Sequence, residues 1–293
     1  MERLRKGLRL IVLVLCLAPG AVLLAGEWSV KAETASEYEE VWDYSGNQKV
    51  LKSGKYYFRC ATATGRIQIS DRKNEGYRNT PLGYGSFGNG LQAYYVDKNV
   101  LYRYIYATRE SVRLRKLAVS GDEEFHISTV YGNQIFLTKS SFDQWKYWTY
   151  SYNIKTGKVK KVMSNCCITG RLGKFVVAQN AYRTDVGPYP VTIYKITAQG
   201  LSKVRKLTSY GRSEVFVGKK LYYAAYDKGS MKKAVLYRCN KDGTGRKKIA
   251  EFINPSEFGE VLIGDITDKG CIVYQAGVQY RYTYAAKKMK RIR

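Results

Sequence analysis

Ten aromatic and polar side chains in three irregular segments are the candidates for ligand binding. Aromatic rings can stack on sugar rings, while interleaved Arg, Lys and Asp side chains can hydrogen-bond to hydroxyl and carboxylate groups. The alternative for Trp145 and Trp148 is that they alternate into the core as strand residues, and we favour that interpretation. The candidates are Trp145, Tyr147, Trp148, Tyr182, Arg183, Asp185, Tyr189, Tyr226, Asp227 and Lys228.

Catalytic groups are scarce in this sequence. The only histidine, His126, lies in the strand-like run Phe125-His126-Ile127, and a lone histidine of this kind is usually structural. A metal cluster built on histidines is therefore excluded, and a Ser-His-Asp triad would depend wholly on His126. The sequence contains no GxSxG elbow and no phosphate-binding glycine loop. We therefore expect no catalytic residues, no metal and no cofactor.

An enzymatic alternative stays open at this stage. A metal ion held by carboxylates would suit a lyase, a hydrolase or a lactonase. The aspartates that could supply its ligands are Asp185, Asp227, Asp265 and Asp268. Their spacing does not require such a site.

A phrase that recurs about every 43 residues indicates which elements position these side chains. Its turn glycines, Gly157, Gly200 and Gly243, lie 43 residues apart, and a fourth copy near 280–292 lacks the glycine. A fixed period of about 40–45 residues made of short strands is typical of a β-propeller blade. We predict an all-β fold, a six-bladed β-propeller with four short antiparallel strands per blade. Five or seven blades also fit the period.

Residues 218–249 carry the clearest repeat. They read Gly-Lys-Lys-Leu-Tyr-Tyr, then a loop, then Leu-Tyr-Arg-Cys-Asn-Lys-Asp-Gly-Thr-Gly-Arg-Lys-Lys-Ile. This segment resembles a blade of the TolB-like secreted bacterial β-propellers, which include a large group of unknown function. The resemblance is good over 130–293, weak over 45–129 and absent before that. It implies the fold and no particular activity, because propellers serve as scaffolds, binding proteins and enzymes alike.

The earlier repeats are less regular. We assign the second repeat the strands Val100–Tyr106, Val112–Leu117 and Phe125–Ile127. Its basic pair Arg115-Lys116 then falls before the last turn, out of phase with the basic pairs of the other repeats. Residues 71–90 show no clear fourth strand for the first repeat.

Basic residues on the fourth strand of the later repeats form a predicted basic rim. In a propeller this strand is the outer edge of the blade, where lysines prevent edge-to-edge pairing. The second interpretation is a belt that holds an anionic polymer, because the formal net charge is +26. The two interpretations are compatible. The rim residues are Lys160, Lys161, Arg205, Lys206, Lys247, Lys248, Lys290 and Arg291.

The N-terminus reads as a targeting segment. A basic start precedes the apolar run Leu10–Ala25, and Val30-Lys31-Ala32 offers small residues for cleavage. A retained anchor is the alternative, although the run is shorter than the ~20 residues that span a bilayer. We divide the chain into a signal peptide (1–32), an acidic aromatic leader (33–45) and a propeller domain (46–293). The leader offers a strand that could close the ring.

Together these features predict a secreted or cell-envelope-associated bacterial protein. We expect a non-catalytic binding module for an anionic polysaccharide, wall polymer or other glycan. The alternatives are the enzyme with a carboxylate-held metal and a scaffold for a protein partner. Specific nucleic-acid binding is not expected, nor is a transmembrane span after signal cleavage. The five cysteines that follow the predicted signal peptide are irregularly spaced and should pack as small apolar residues: Cys60, Cys166, Cys167, Cys239 and Cys271.

Overall fold

The computed structural model describes residues 38–41, 51–61, 66–141, 146–180, 189–227, 231–254 and 259–292. The predicted signal peptide and most of the leader lie outside these ranges. Within them the chain forms strands and turns and no helix. No helix long and apolar enough to cross a membrane is therefore found in the described ranges.

Twenty-four strands form in the described ranges, with Tyr, Val, Ile and Leu at many of the buried positions. They are β1 (Glu39–Glu40), β2 (Leu51–Ser53), β3 (Tyr56–Ala61), β4 (Arg66–Ser70), β5 (Arg78–Asn79), β6 (Phe87–Gly88), β7 (Gln92–Asp97), β8 (Val100–Ile105), β9 (Glu110–Lys116), β10 (Glu123–Tyr131), β11 (Gln134–Ser141), β12 (Lys146–Asn153), β13 (Val159–Ser164), β14 (Cys167–Leu172), β15 (Phe175–Gln179), β16 (Tyr189–Thr197), β17 (Gly200–Val217), β18 (Lys220–Tyr226), β19 (Lys233–Asn240), β20 (Lys247–Ile253), β21 (Val261–Gly264), β22 (Gly270–Gln275), β23 (Val278–Thr283) and β24 (Lys288–Arg291).

The strands pair antiparallel into five sheets. Three sheets have four strands in chain order, β2 to β5, β10 to β13 and β21 to β24. A fourth runs β1-β6-β7-β8-β9, and the fifth contains the seven strands β14 to β20. The predicted all-β fold of short antiparallel strands is confirmed.

The recurring glycines occupy tight turns between the last two strands of a repeat. Gly157 joins β12 to β13 with φ 66°, Gly200 joins β16 to β17 with φ 127°, and Gly243 joins β19 to β20 with φ 82°. Positive φ is open to glycine and unfavourable for residues with a side chain. In the copy without glycine, Lys287 takes this conformation, with φ 51°, between β23 and β24. Turn geometry therefore explains the glycine period.

Strand β17 departs from the predicted pattern because it is continuous over 18 residues. Its first part pairs with β16 and its last part with β18, and Gly211 is paired on both sides, with Tyr189 and Ala225. A Cβ at Gly211 would lie 2.5 Å from Thr208 Cγ2 and 2.7 Å from Val191 Cγ2. Glycine thus permits the close packing at which the strand changes partners.

The assignment of the second repeat was wrong in one respect. Phe125–Ile127 belongs to β10, where it pairs with β11 and buries Phe125 and Ile127 in the next sheet's core. The sequence did not reveal the two-residue strand β6. Because β6 precedes β7, β8 and β9 in this sheet, the sheet is already complete at β9 and Phe125–Ile127 falls in the next one. Consequently β9 is the outermost strand of its sheet. Arg115 and Lys116 are exposed on it, in the same position as the other basic pairs.

The core lies between neighbouring sheets. Tyr94 of β7 and Leu101 of β8 pack with Ile135 and Leu137 of β11, which belongs to the next sheet. Phe136, on the opposite face of β11, packs with residues of β14 and β15 in the sheet after that. The sheet that contains β11 therefore buries apolar side chains on both faces, which explains the run of buried residues in its second strand.

Candidate functional site

The predicted ligand-binding residues are only partly placed by the structure. Tyr147 and Trp148 lie on β12, Tyr189 begins β16, Tyr226 ends β18 and Asp227 follows it. The Tyr226 side chain is 6% exposed and packs in the core, and burial raises its pKa to about 12. A ligand-binding role for this set stays a prediction. The remaining candidates lie outside the described residues: Trp145, Tyr182, Arg183, Asp185 and Lys228.

Trp148 takes part in a charged cluster rather than in the apolar core. The Lys139 ammonium lies 4.8 Å from the centre of the half-buried Trp148 ring and 2.7 Å from Glu123 Oε1. The hydrogen bond from Lys139 lowers the pKa of Glu123. The arrangement combines a cation–π contact with an ion pair that is largely shielded from solvent. Trp148 is therefore a half-buried strand residue beside a charged pair and does not belong to the apolar core favoured for it.

The described part of the leader forms β1 and pairs with β6. Glu39 is opposite Gly88 and Glu40 opposite Phe87, and the Val41 N–H donates to the Ser86 carbonyl oxygen at 2.9 Å. Val41 is buried among residues of the sheet β6 to β9 and the sheet before it. The leader thus supplies a strand, as the sequence suggested. That strand lies against β6 and does not belong to the last sheet, β21 to β24.

Arg171 ties three segments together next to this strand. It projects from β14, where its Nε donates to Thr129 Oγ1 at 2.9 Å and its Nη1 to the Gly173 carbonyl oxygen at 3.3 Å. Its Nη2 donates to the carbonyl oxygen of Tyr38. Burial lowers the pKa of Arg171, and the negative charge of Glu39 opposes that shift. A half-buried guanidinium therefore faces the leader.

Glu214 adds a buried carboxyl group beside Arg171's strand. The Thr169 hydroxyl, two residues before Arg171, donates to Glu214 Oε1 at 2.7 Å. Glu214 is 9% exposed, and its Oε2 has no hydrogen-bond partner among the described residues. Burial raises the pKa of Glu214, partly offset by the hydrogen bond from Thr169 and the charge of Arg212. Such a carboxyl group holds its proton to a higher pH than usual.

Arg171 and Thr169 line one cavity, which we call the leader pocket, whereas Glu214 does not line it and is linked to it through the hydrogen bond from Thr169. The volume of the pocket is about 330 Å³, and it is lined by β1, β6, β10 and β14, with Arg171 and Thr169 among its polar residues. Sequence reasoning missed both Arg171 and Glu214. A signal was present for Glu214, a charged residue at the start of the otherwise apolar strand 214–217. Arg171 gave no signal, because a single arginine in a chain with 50 basic residues is inconspicuous.

Glu214 predicts a specific dependence of stability on pH. Because its folded-state pKa is raised, the folded chain binds this proton more tightly than the unfolded chain. The free energy of unfolding should therefore fall as pH rises from the ordinary glutamate pKa, 4.5, towards the raised value. Urea unfolding at several pH values should show a smaller fall for Glu214→Gln. Glu110→Gln, at an exposed position of β9, should match the wild type. An unchanged slope in Glu214→Gln would contradict the prediction.

The thiols and the histidine of the described ranges are buried or partly buried. All five cysteines in the described ranges are free thiols. Burial raises the pKa of Cys166 to about 12 and the pKa of Cys167 to about 11, so both stay protonated and unreactive at neutral pH. Burial also lowers the pKa of His126, which sits between two buried residues on β10. The packing role predicted for the cysteines agrees with the burial of Cys166, Cys239 and Cys271, whereas Cys60 and Cys167 are partly exposed.

A metal site does not form from the residues that the structure describes. No group of three or more His, Cys, Asp or Glu side chains comes together there. Asp227, Asp265 and Asp268 are therefore not gathered around one point, and Asp185 lies outside the described ranges. These residues do not fit a carboxylate-held metal ion.

Known proteins resemble this chain in fold and not in sequence. No family model matches it, and no curated protein matches it. An oligogalacturonate lyase solved in complex with manganese superposes with a TM-score of 0.51 at 12% identity, covering 87% of this chain and 83% of the lyase. The oligogalacturonate lyase of Vibrio parahaemolyticus gives 0.51 at 12% identity, covering 87% and 84%. TolB of Acinetobacter baumannii gives 0.36 at 13% identity, covering 82% and 61%. The fold is propeller-like.

The expectation that the chain is not an enzyme is contradicted by these comparisons. Both structures that superpose with a TM-score of 0.51 are named as lyases, and lyases are enzymes. The expectation rested on the lack of recognisable motifs, such as paired histidines and serine elbows. Polar groups that the fold brings together from separate strands, such as Thr169 with Glu214 and Arg171 with Tyr38, leave no motif of this kind.

Proposed function

We propose that this protein is a six-bladed β-propeller enzyme that acts on an anionic saccharide of the uronate class at the leader pocket. The strand pairing supports the blade count. Strand β17 is the fourth strand of one unit, β14 to β17, and the first strand of the next unit, β17 to β20. The seven-stranded sheet therefore divides into two four-stranded units that share β17. With the four other sheets this makes six units, and the first strands β10, β14 and β17 would face the central channel.

The observation that supports the proposal is that β14 presents a cation to the pocket and also holds, through a hydrogen bond, a buried carboxyl group of β17. Arg171 and Thr169 line the pocket from β14, and Thr169 is hydrogen-bonded to Glu214 of β17. A guanidinium matches the geometry of a sugar carboxylate and binds it through two parallel hydrogen bonds. A carboxyl group whose pKa is raised by burial holds its proton to a higher pH than usual and can therefore serve as a proton donor.

Arg171 and Glu214 would have different roles in the reaction. Arg171 would bind and neutralise the carboxylate of the sugar and so orient the ring in the pocket. Glu214 would give its proton to the departing glycosidic oxygen, while a water molecule adds to the anomeric carbon and returns a proton to Glu214, with Thr169 holding one carboxyl oxygen in place. The uronate class is suggested by the oligogalacturonate lyases that share the fold.

Incubation with oligogalacturonate tests the proposal. The purified chain should release new reducing ends with time, at a rate proportional to protein concentration, and Glu214→Gln should release few or none. A neutral oligosaccharide of similar length should stay intact, because it offers no carboxylate to Arg171. Failure to release reducing ends from oligogalacturonate at any protein concentration would overturn the proposal.

A second candidate function is the binding of an anionic polymer along the basic rim. All eight rim residues are exposed, and Arg115 and Lys116 extend the set to β9. One rim charge is partly compensated, since Lys248 Nζ lies 2.6 Å from Glu251 Oε2. We propose that this binding occurs outside the bacterial cell or at its envelope, which the predicted signal peptide suggests. A protein partner on this surface is the alternative.

Charge reversal on the rim should weaken polymer binding. Lys160→Glu combined with Lys161→Glu should lower the affinity for polygalacturonate about tenfold, which corresponds to ~1.4 kcal/mol. The control with the same change of charge combines Lys73→Glu with Lys269→Glu at exposed turns away from the rim. Wild-type affinity should fall steeply as salt rises from about 0.05 M to about 0.5 M, since salt screens exposed charges. An affinity that changes neither with salt concentration nor with charge reversal would refute the proposed role of the rim.

A further inference from the structure

The leader strand β1 forms one wall of the pocket in which we place the reaction, and it contacts Arg171 there. Arg171 uses two of its donors to hold itself in place, Nε on Thr129 and Nη1 on Gly173. Its Nη2 donates to the Tyr38 carbonyl oxygen. The leader therefore takes up a donor that the carboxylate of a sugar would need.

The attachment of this strand is short. β1 pairs with β6 over two residues, Glu39 and Glu40, whereas β7 pairs with β8 over six. Beyond that pairing, the Val41 N–H donates to Ser86, and the Tyr38 hydroxyl accepts a hydrogen bond from Gln92 at 3.0 Å. Few contacts of this kind allow a segment to open locally without unfolding the sheets.

The leader also resembles an anionic ligand in its charge. Glu39 interacts electrostatically with Arg171, and Glu40 accepts a hydrogen bond from the backbone N–H of Gly85. Burial raises the pKa of Glu40, which means that burying its negative charge destabilises the docked state of the strand. An acidic strand at the wall of the pocket therefore contacts the cation that we assign to the carboxylate of an acidic saccharide.

We propose that residues 38–41 are a detachable intramolecular ligand of the leader pocket, and that an anionic ligand reaches Arg171 only after this strand leaves. The inference rests on the proposed function for the identity of the ligand. The docking of the strand itself can be measured without any saccharide.

Two full-length variants should release the strand. Val41→Asp places a charge at a buried position that is 6% exposed, and Val41→Pro removes the N–H that donates to Ser86 while keeping an apolar side chain. Val119→Asp, at a valine that is 39% exposed in a loop, is the matched control. Both Val41 variants should bind oligogalacturonate at least about tenfold more tightly than the wild type and Val119→Asp, in calorimetric titrations. They should also release reducing ends faster.

A labelled synthetic peptide with the sequence of residues 36–43 reports on docking separately. It should bind the Val41→Asp chain, whose pocket is open, and not the wild type, and oligogalacturonate should displace it. Equal oligogalacturonate affinity in the wild type and both Val41 variants, or no peptide binding to Val41→Asp, would overturn the inference. If the peptide binds Val41→Asp while oligogalacturonate binds none of the chains, the proposed function fails and the docking of the strand stands.

Discussion

Arg171→Ala is expected to weaken oligogalacturonate binding at least about 30-fold and to abolish the release of reducing ends. Removing one partner of a desolvated charge pair costs about 2–5 kcal/mol, and 2 kcal/mol corresponds to about 30-fold in affinity. Arg171 is half-buried and lines the pocket, so water would compensate for its loss only in part. Calorimetric titration and the reducing-end assay measure the two effects.

Two further variants separate binding from folding. Arg171→Lys keeps the charge and loses the two-pronged geometry, so its affinity should fall between those of the wild type and Arg171→Ala. Arg113→Ala removes an exposed arginine of β9 and should leave affinity unchanged. Because Arg171 also holds Thr129, thermal unfolding of each variant has to accompany the titrations. Wild-type affinity in a folded Arg171→Ala chain would contradict the assignment of the site.

Phe136→Ala is expected to lower the free energy of unfolding by about 3–5 kcal/mol. Phe136 is fully buried on β11 and packs against Val176 and Ala178 of β15 and Ile168 of β14, so it joins two neighbouring sheets. Truncation would leave a cavity between sheets that cannot close without moving one against the other. Urea unfolding measures the loss, which is large against the 5–15 kcal/mol that stabilises a typical domain.

Two control variants test whether the loss of stability depends on the volume removed at Phe136. Phe136→Leu keeps most of the volume and should cost less than about 1.5 kcal/mol. Val204→Ala, at an exposed position of β17, should change the free energy of unfolding by no more than about 0.5 kcal/mol. A loss below about 1 kcal/mol in Phe136→Ala would show that this contact between sheets matters little.

The sequence predicted the parts of the fold that depend on local conformation. The turn glycines Gly157, Gly200 and Gly243 are recognisable in the sequence because a backbone position with positive φ favours glycine. The strands on either side of each turn could therefore be assigned. The strand prediction was least accurate in the first repeats of the chain. β5 and β6 have two residues each, too few for an alternating pattern, and the position of β9 at the edge of its sheet followed from β6.

The partner change along β17 was also beyond sequence reasoning. Nothing in the residues themselves separates a strand that ends near Leu207 from one that continues to Val217. What decides is the space around Gly211, where Val191 and Thr208 leave no room for a side chain. Such a constraint exists only once β16 and β18 lie on the two sides of the strand.

The sequence by itself determined the all-β class, the antiparallel hairpins and the cationic surface, because each follows from residue types and from spacings within one repeat. The tertiary structure alone decided the candidate site. Thr169 and Glu214 are 45 residues apart, and Arg171 and Tyr38 are 133 apart, yet each pair is joined by a hydrogen bond. First strands of successive sheets are brought side by side only by the packing of whole sheets. No local pattern in the chain records which side chains meet there.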